Sequence, residues 1–105
     1  MTKVTFHKTK SGEYKGFTCN GHAGFDDYGK DIVCAAFSTM IITIVNAILG
    51  FDENAVSYTD SNDLHIVNIK KDNITNSLLN TLVEMMKELR DTYDKNIDIK
   101  EESHD

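Results

Sequence analysis

Proline and tryptophan are both missing from the 105 residues. Without proline there is no proline-rich linker, and no helix is obliged to kink. Basic residues are in the minority: 11 Lys and Arg stand against 17 Asp and Glu, for a formal charge of -6. Phosphate attraction needs clustered basic groups, so nonspecific nucleic-acid binding is disfavoured, while a basic protein partner is tolerated. The opening residues Met1 to Lys8 lack the apolar run of a secretory signal, so a reducing cytoplasm is the expected setting. The longest apolar stretch, Ile32 to Leu49, is interrupted by Ser38, Thr39, Thr43 and Asn46. It reads as a buried helix and not as a membrane span.

Apolar residues make up 40% of the chain and charged residues 27%, which excludes disorder of the whole. One domain, residues 1–105, is all that this length supports. A monomer of this size removes only about 65% of its extended-chain surface from water, so oligomerisation would help it.

Val4 and Phe6 alternate with Thr5 and His7, which predicts a strand over about 2–9. Ser11-Gly12-Glu13 reads as a turn, and Gly16 to Gly21 as a second strand. In that strand Phe17 and Cys19 share the core face, while Thr18, Asn20 and His22 share the other. Five of the six glycines lie between positions 12 and 29, so residues 23–30 are expected to form a mobile loop. Asp31 is a good N-cap for the helix that follows, and Gly50 a natural stop. This helix is apolar almost all round, which implies burial on several sides, part of it against another subunit.

Ala55 to Thr59 and Leu64 to Lys70 read as a hairpin turning at Asp60-Ser61-Asn62-Asp63. Asp72 or Asn73 then caps an amphipathic helix in which Ile74, Leu78, Leu82, Met86, Leu89 and Tyr93 form the apolar stripe. Ile97 and Ile99 mark a short last strand, and Glu101 to Asp105 an acidic, frayed tail. The order ββαββαβ defines an α+β domain, with two helices packed on a mainly antiparallel sheet.

Chemistry concentrates between Gly21 and Ser38. With Asp31 as cap, Cys34 falls in the first helical turn, where outward-facing N–H groups and the helix dipole favour a thiolate. The same N–H groups suit the oxyanion of a tetrahedral intermediate. His22, entering the loop from the preceding strand, supplies the base that ionises the thiol and the acid for a leaving amine. Asp31 either caps the helix or orients His22 as a third member of the site. Ser38 lies one turn after Cys34 and either bonds the thiolate or substrate, or is a small residue at the sheet. The bland reading is that a cysteine in an apolar helix is a small buried hydrophobe, as Cys19 is expected to be. A zinc reading of Cys19, His22 and Cys34 lacks the fourth ligand of a closed site. No metal and no cofactor are expected. His7, His65 and His104 are scattered and suggest nothing specific.

Gly21-His22-Ala23-Gly24, a glycine-bearing loop, then Asp31-Ile32-Val33-Cys34-Ala35-Ala36-Phe37-Ser38 resembles the paired signature of the Prp family of ribosomal-processing cysteine proteases. The resemblance covers essentially the whole chain. It implies an α+β homodimer that removes the N-terminal extension of large-subunit ribosomal protein L twenty-seven, cutting after apolar and aromatic residues. It implies Cys34 as nucleophile and His22 as general base, with Gly21, Asp31 and Ser38 in supporting motif positions. Gly24, Tyr28 and Gly29 belong to the variable loop, which is expected to close over an extended peptide. The rival reading is a non-catalytic, acidic dimeric module that binds a basic ribosomal or assembly partner.

Overall fold

The computed structural model describes residues 2–20, 28–60, 64–68, 70 and 72–104. The alternation of Val4 and Phe6 becomes strand β1, Thr2–Thr9, and β2 follows at Tyr14–Asn20. The two pair antiparallel with Val4 opposite Cys19 and Phe6 opposite Phe17, which puts all four side chains in the core. Their turn is closed by Thr9 and Glu13: the Thr9 N–H donates to the Glu13 carbonyl at 2.7 Å, and the Glu13 N–H to Thr9 Oγ1 at 3.1 Å. β2 starts two residues earlier than the pattern predicts, because Tyr14 is anchored. Its N–H donates to Asn76 Oδ1 at 2.7 Å, its hydroxyl to Asn80 Oδ1 at 3.0 Å, and its carbonyl accepts from Asn68 Nδ2 at 2.9 Å. Burial, followed by Glu101 and Glu84, pushes the Tyr14 hydroxyl above its ordinary pKa.

Helix α1 spans Tyr28–Phe51, and the hairpin strands are β3, Val56–Asp60, and β4, Leu64–Asn68. Helix α2 spans Asn73–Thr92 and strand β5 Ile97–His104. The five strands form one sheet in the order β3-β4-β2-β1-β5; only the β1–β5 pairing is parallel among the described strands. Both helices cover one face. Val33, Phe37, Ile41, Ile44, Val45 and Ile48 of α1 meet Leu79, Leu82, Val83 and Met86 of α2 above Phe6, Phe17 and Ile66. This is the α+β arrangement that the element order implies.

The limits of α1 and of the last strand differ from the sequence reading. α1 begins at Tyr28, inside the expected loop over 23–30, and passes through Gly50 to Phe51. It ends where Asp52 takes the next N–H groups: Asn54 donates to its Oδ1 at 2.9 Å and Ala55 to its carbonyl at 3.0 Å. Glycine is thus not needed as the stop. Within the single chain, Ile32 and Ile42 of α1 are 57% and 59% exposed. The expected frayed tail is strand through His104, paired along the whole of β1 from Thr2–Ile97 to Thr9–His104. The apolar alternation stops at Ile99, but the edge of β1 still needs backbone partners. Glu101 is also held by Lys8 at 3.7 Å and Lys87 at 3.4 Å. The second helix is capped as read: Asp72 is its N-cap, accepting from the Thr75 N–H at 2.7 Å, and that bond holds its carboxyl below the usual range. Its buried face includes Leu79 and Val83 beside Leu82 and Met86, while Ile74 of the expected stripe is exposed.

Gly16 has φ 149°, and a Cβ there would collide with the carbonyl oxygen of Ile66 on the neighbouring strand. Both the backbone conformation and the close approach require glycine. Gly16→Ala is expected to destabilise the fold by about 2 kcal/mol or more, measured by urea denaturation of both proteins.

Candidate active site

Cys34 is the seventh residue of α1. It therefore lies in the second turn, inside the i to i-4 ladder, and not among the unpaired N–H groups of the first. The expected oxyanion site formed by first-turn N–H groups at Cys34 is corrected accordingly. So is the N-cap role of Asp31, which is the fourth helical residue. An aspartate is favoured in the first turn by the dipole as well as at the cap, so its presence alone does not mark the first residue. Tyr28 and Gly29, expected in the closing loop, are the first two residues of the helix. Gly21, His22 and Gly24 lie outside the described residues, as do the side chains of Tyr28, Asp31 and Cys34. β2 ends at Asn20, two residues before His22.

Around the register position of Cys34 the sheet and helix form a defined surface. Ser38, one turn later on α1, is exposed and lines an apolar cleft of about 330 Å³ between α1 and strands β2, β4 and β3. Cys19 lies at the floor of the same cleft and is only 3% exposed. A thiol shut away from solvent is out of reach of a reagent, which fits the expected filler role. The structure thus brings Ser38 and Cys19 to one cleft, with Ser38 at its open side.

Sequence reasoning missed two groupings. One is the far wall of the cleft, where Tyr58 and Leu64 stand; the hairpin of Ala55 to Thr59 and Leu64 to Lys70 was legible, but not which strand would face α1. The other is on the opposite sheet face. His7 and His65 are not scattered: His7 Nε2 lies 3.3 Å and His65 Nδ1 3.4 Å from Thr18 Oγ1, and His7 Nδ1 lies 3.8 Å from Glu102. The strand register that sets Thr18 opposite His65 creates this row. Among the described residues, no group of three His, Cys, Asp or Glu side chains could hold a metal ion. Among them, too, no helix is long and apolar enough to cross a membrane.

A two-helix, five-stranded α+β domain with a cysteine on its long helix and an apolar cleft along that helix defines the architecture. The model of the family described as cysteine protease Prp matches residues 1–98. The ribosomal processing cysteine protease Prp of Staphylococcus aureus strain Mu50 is 30% identical over 101 residues, covering 92% of this chain and 95% of that protein. The chain belongs to the Prp family of cysteine proteases. Two Staphylococcus aureus Prp crystal structures share the fold. One, with a substrate peptide, has a TM-score of 0.89 at 24% identity and covers 97% of this chain and all of that one. The other, with a covalently linked product peptide, has a TM-score of 0.85 at 26% identity and the same coverage. As a member of this family the chain is a cysteine protease, and the rival non-catalytic module is set aside.

In the native protein Cys19 is expected to resist dithiobis(nitrobenzoate), whereas Cys34 reacts. One thiol should titrate before denaturation and two after it, with peptide mapping assigning the native one.

Proposed function

We propose that this protease removes the N-terminal extension of large-subunit ribosomal protein L twenty-seven through a Cys34–His22 dyad. The observation that carries the reading is the paired motif, with His22 just after β2 and Cys34 early in α1, inside the segment matched by the family. The relatives described as ribosomal processing proteases, one of them holding a covalently linked product, support the substrate class.

In this reading His22 takes the proton from the Cys34 thiol. The sulfur attacks the scissile carbonyl carbon, and the carbonyl oxygen becomes the oxyanion. Collapse breaks the C–N bond, and the His22 imidazolium gives its proton to the departing amine. The thioester retains the residues before the cut until water, deprotonated by His22, releases them as a carboxylate. Asp31 orients His22 or biases the helix terminus, and Ser38 bonds the substrate at the start of the cleft. The homodimer and the cytoplasmic setting belong to the same proposal; exposed Ile32 and Phe51 offer apolar surface that a second copy would cover. No cofactor is assigned a role in any step.

Cys34→Ala is expected to lower kcat/KM for a peptide spanning the extension junction by at least about a thousandfold. His22→Ala should cost on the order of a hundredfold or more, and Cys19→Ala should retain most of the activity. Mass spectrometry of the products locates the cut; undiminished cleavage by Cys34→Ala would refute the dyad.

A further inference from the structure

The sheet face turned away from the helices carries a second group of side chains. Antiparallel register sets His7 of β1 opposite Gly16 of β2, and Thr18 of β2 opposite His65 of β4. His7, Thr18 and His65 therefore project from three adjacent strands on one face. Their polar atoms converge. His7 Nε2 lies 3.3 Å and His65 Nδ1 3.4 Å from the same atom, Thr18 Oγ1. Behind His7, Glu102 Oε2 lies 3.8 Å from Nδ1. That carboxylate favours the ring proton on Nδ1, which leaves the Nε2 lone pair turned towards Thr18. Gly16 has no side chain to fill the space beside them, and a hollow of about 380 Å³ opens there, walled by His7, Thr18, His65 and Val67.

We propose that His7 and His65 form a surface site for one late first-row divalent cation, copper(II) or nickel(II) ahead of zinc(II), with water completing its coordination. The site is independent of the protease reading and takes no part in the proposed reaction. Imidazole nitrogen suits these cations, and affinity rises from nickel to copper and falls again at zinc. A catalytic zinc centre takes three protein ligands and a structural one four, a number that no group among the described residues supplies. The remaining positions face the open hollow and belong to water. The Thr18 hydroxyl has a single proton and satisfies one ring lone pair at a time, whereas a cation satisfies both. Seating it brings each nitrogen to about 2.0–2.1 Å from a common centre, a ring movement on the order of 1 Å. The rings have room for this, since the His7 side chain is 32% exposed and His65 is exposed. Lys15 also lines the hollow, and its long chain carries the ammonium out to solvent. The acidic neighbour Glu102 and the chain's charge of -6 favour a cation over an anion. With ligands from β1 and β4 and β2 between them, the cation ties three strands together and stabilises the folded state by mass action.

The test uses the full chain with Cys34→Ala and His22→Ala, which removes the thiol and imidazole of the proposed dyad as competing ligands. Calorimetric titration with nickel(II) chloride is expected to show one saturable equivalent. His7→Ala and His65→Ala should each weaken Kd at least tenfold, and Glu102→Gln about tenfold. His65→Gln keeps a polar side chain of similar size and should lose as much affinity as His65→Ala, which separates loss of a ligand from misfolding. His104→Ala, in the last strand, should leave Kd unchanged. With copper(II), electron paramagnetic resonance should show coupling to two imidazole nitrogens in the parent and to one in either alanine variant. Excess nickel(II) should raise the parent's Tm by several degrees and leave that of His65→Ala where it is. Absence of saturable binding of either cation would overturn the site. So would a Kd indifferent to both His7→Ala and His65→Ala, or one lost with His104→Ala.

Discussion

The seating of α1 on the sheet is the constraint that the helical face of the molecule depends on. Val33, Phe37, Ile41, Ile44, Val45 and Ile48 are all buried, and each is worth about 1.5–3 kcal/mol relative to exposure. A slip of one residue would turn the helix by about 100° and expose most of them. The register is therefore fixed, and with it the position of Cys34 one turn before Ser38 and of Ile42 and Asn46 along the cleft. Any residue carried on such a helix inherits the rigidity of the core.

A second anchor holds α2 and β4 to the same frame. Tyr14 meets Asn76 and Asn80 from α2 and Asn68 from β4 through three hydrogen bonds of 2.7–3.0 Å. Asn68 is buried, and the polar groups around it are paired, so the network rigidifies instead of costing desolvation. Phe6 packs edge-on to the Tyr14 ring at 6.1 Å, and Lys8 sits 5.0 Å over it. The helix that carries no proposed catalytic residue is thereby tied to the strand that leads to His22.

Much of this was legible from residue patterns, for reasons that also explain what was not. The 3.6-residue stripe from Ile74 to Tyr93 and the alternation of Val4 and Phe6 are local signals of burial on one side; β1 formed as read, and α2 formed with Leu79 and Val83 buried and Ile74 exposed. The motif around Cys34 was legible as chemistry. The start of α1 was misplaced because aspartate is favoured at a cap and in the first turn alike. The last four residues of β5 were missed because they pair with β1 through the backbone, which carries no side-chain period. The row of His7, Thr18 and His65, and the cleft walls, are products of strand register; residues far apart in the chain meet only once the order β3-β4-β2-β1-β5 is known.

That order also explains why a cleft exists at all. Two packed helices about 8–10 Å apart cover roughly 16–20 Å of sheet, and five strands at about 4.8 Å span roughly 24 Å. About one strand's width is left without a roof. At the β5 edge Ile97 is buried, so the uncovered strip falls at β3, where Tyr58 is exposed although its register partner Ile66 is buried. A third helix would have closed the strip, but the described residues form two. The small size that limits the core therefore leaves an apolar strip beside the long helix, and the strip follows from the geometry of an incomplete layer.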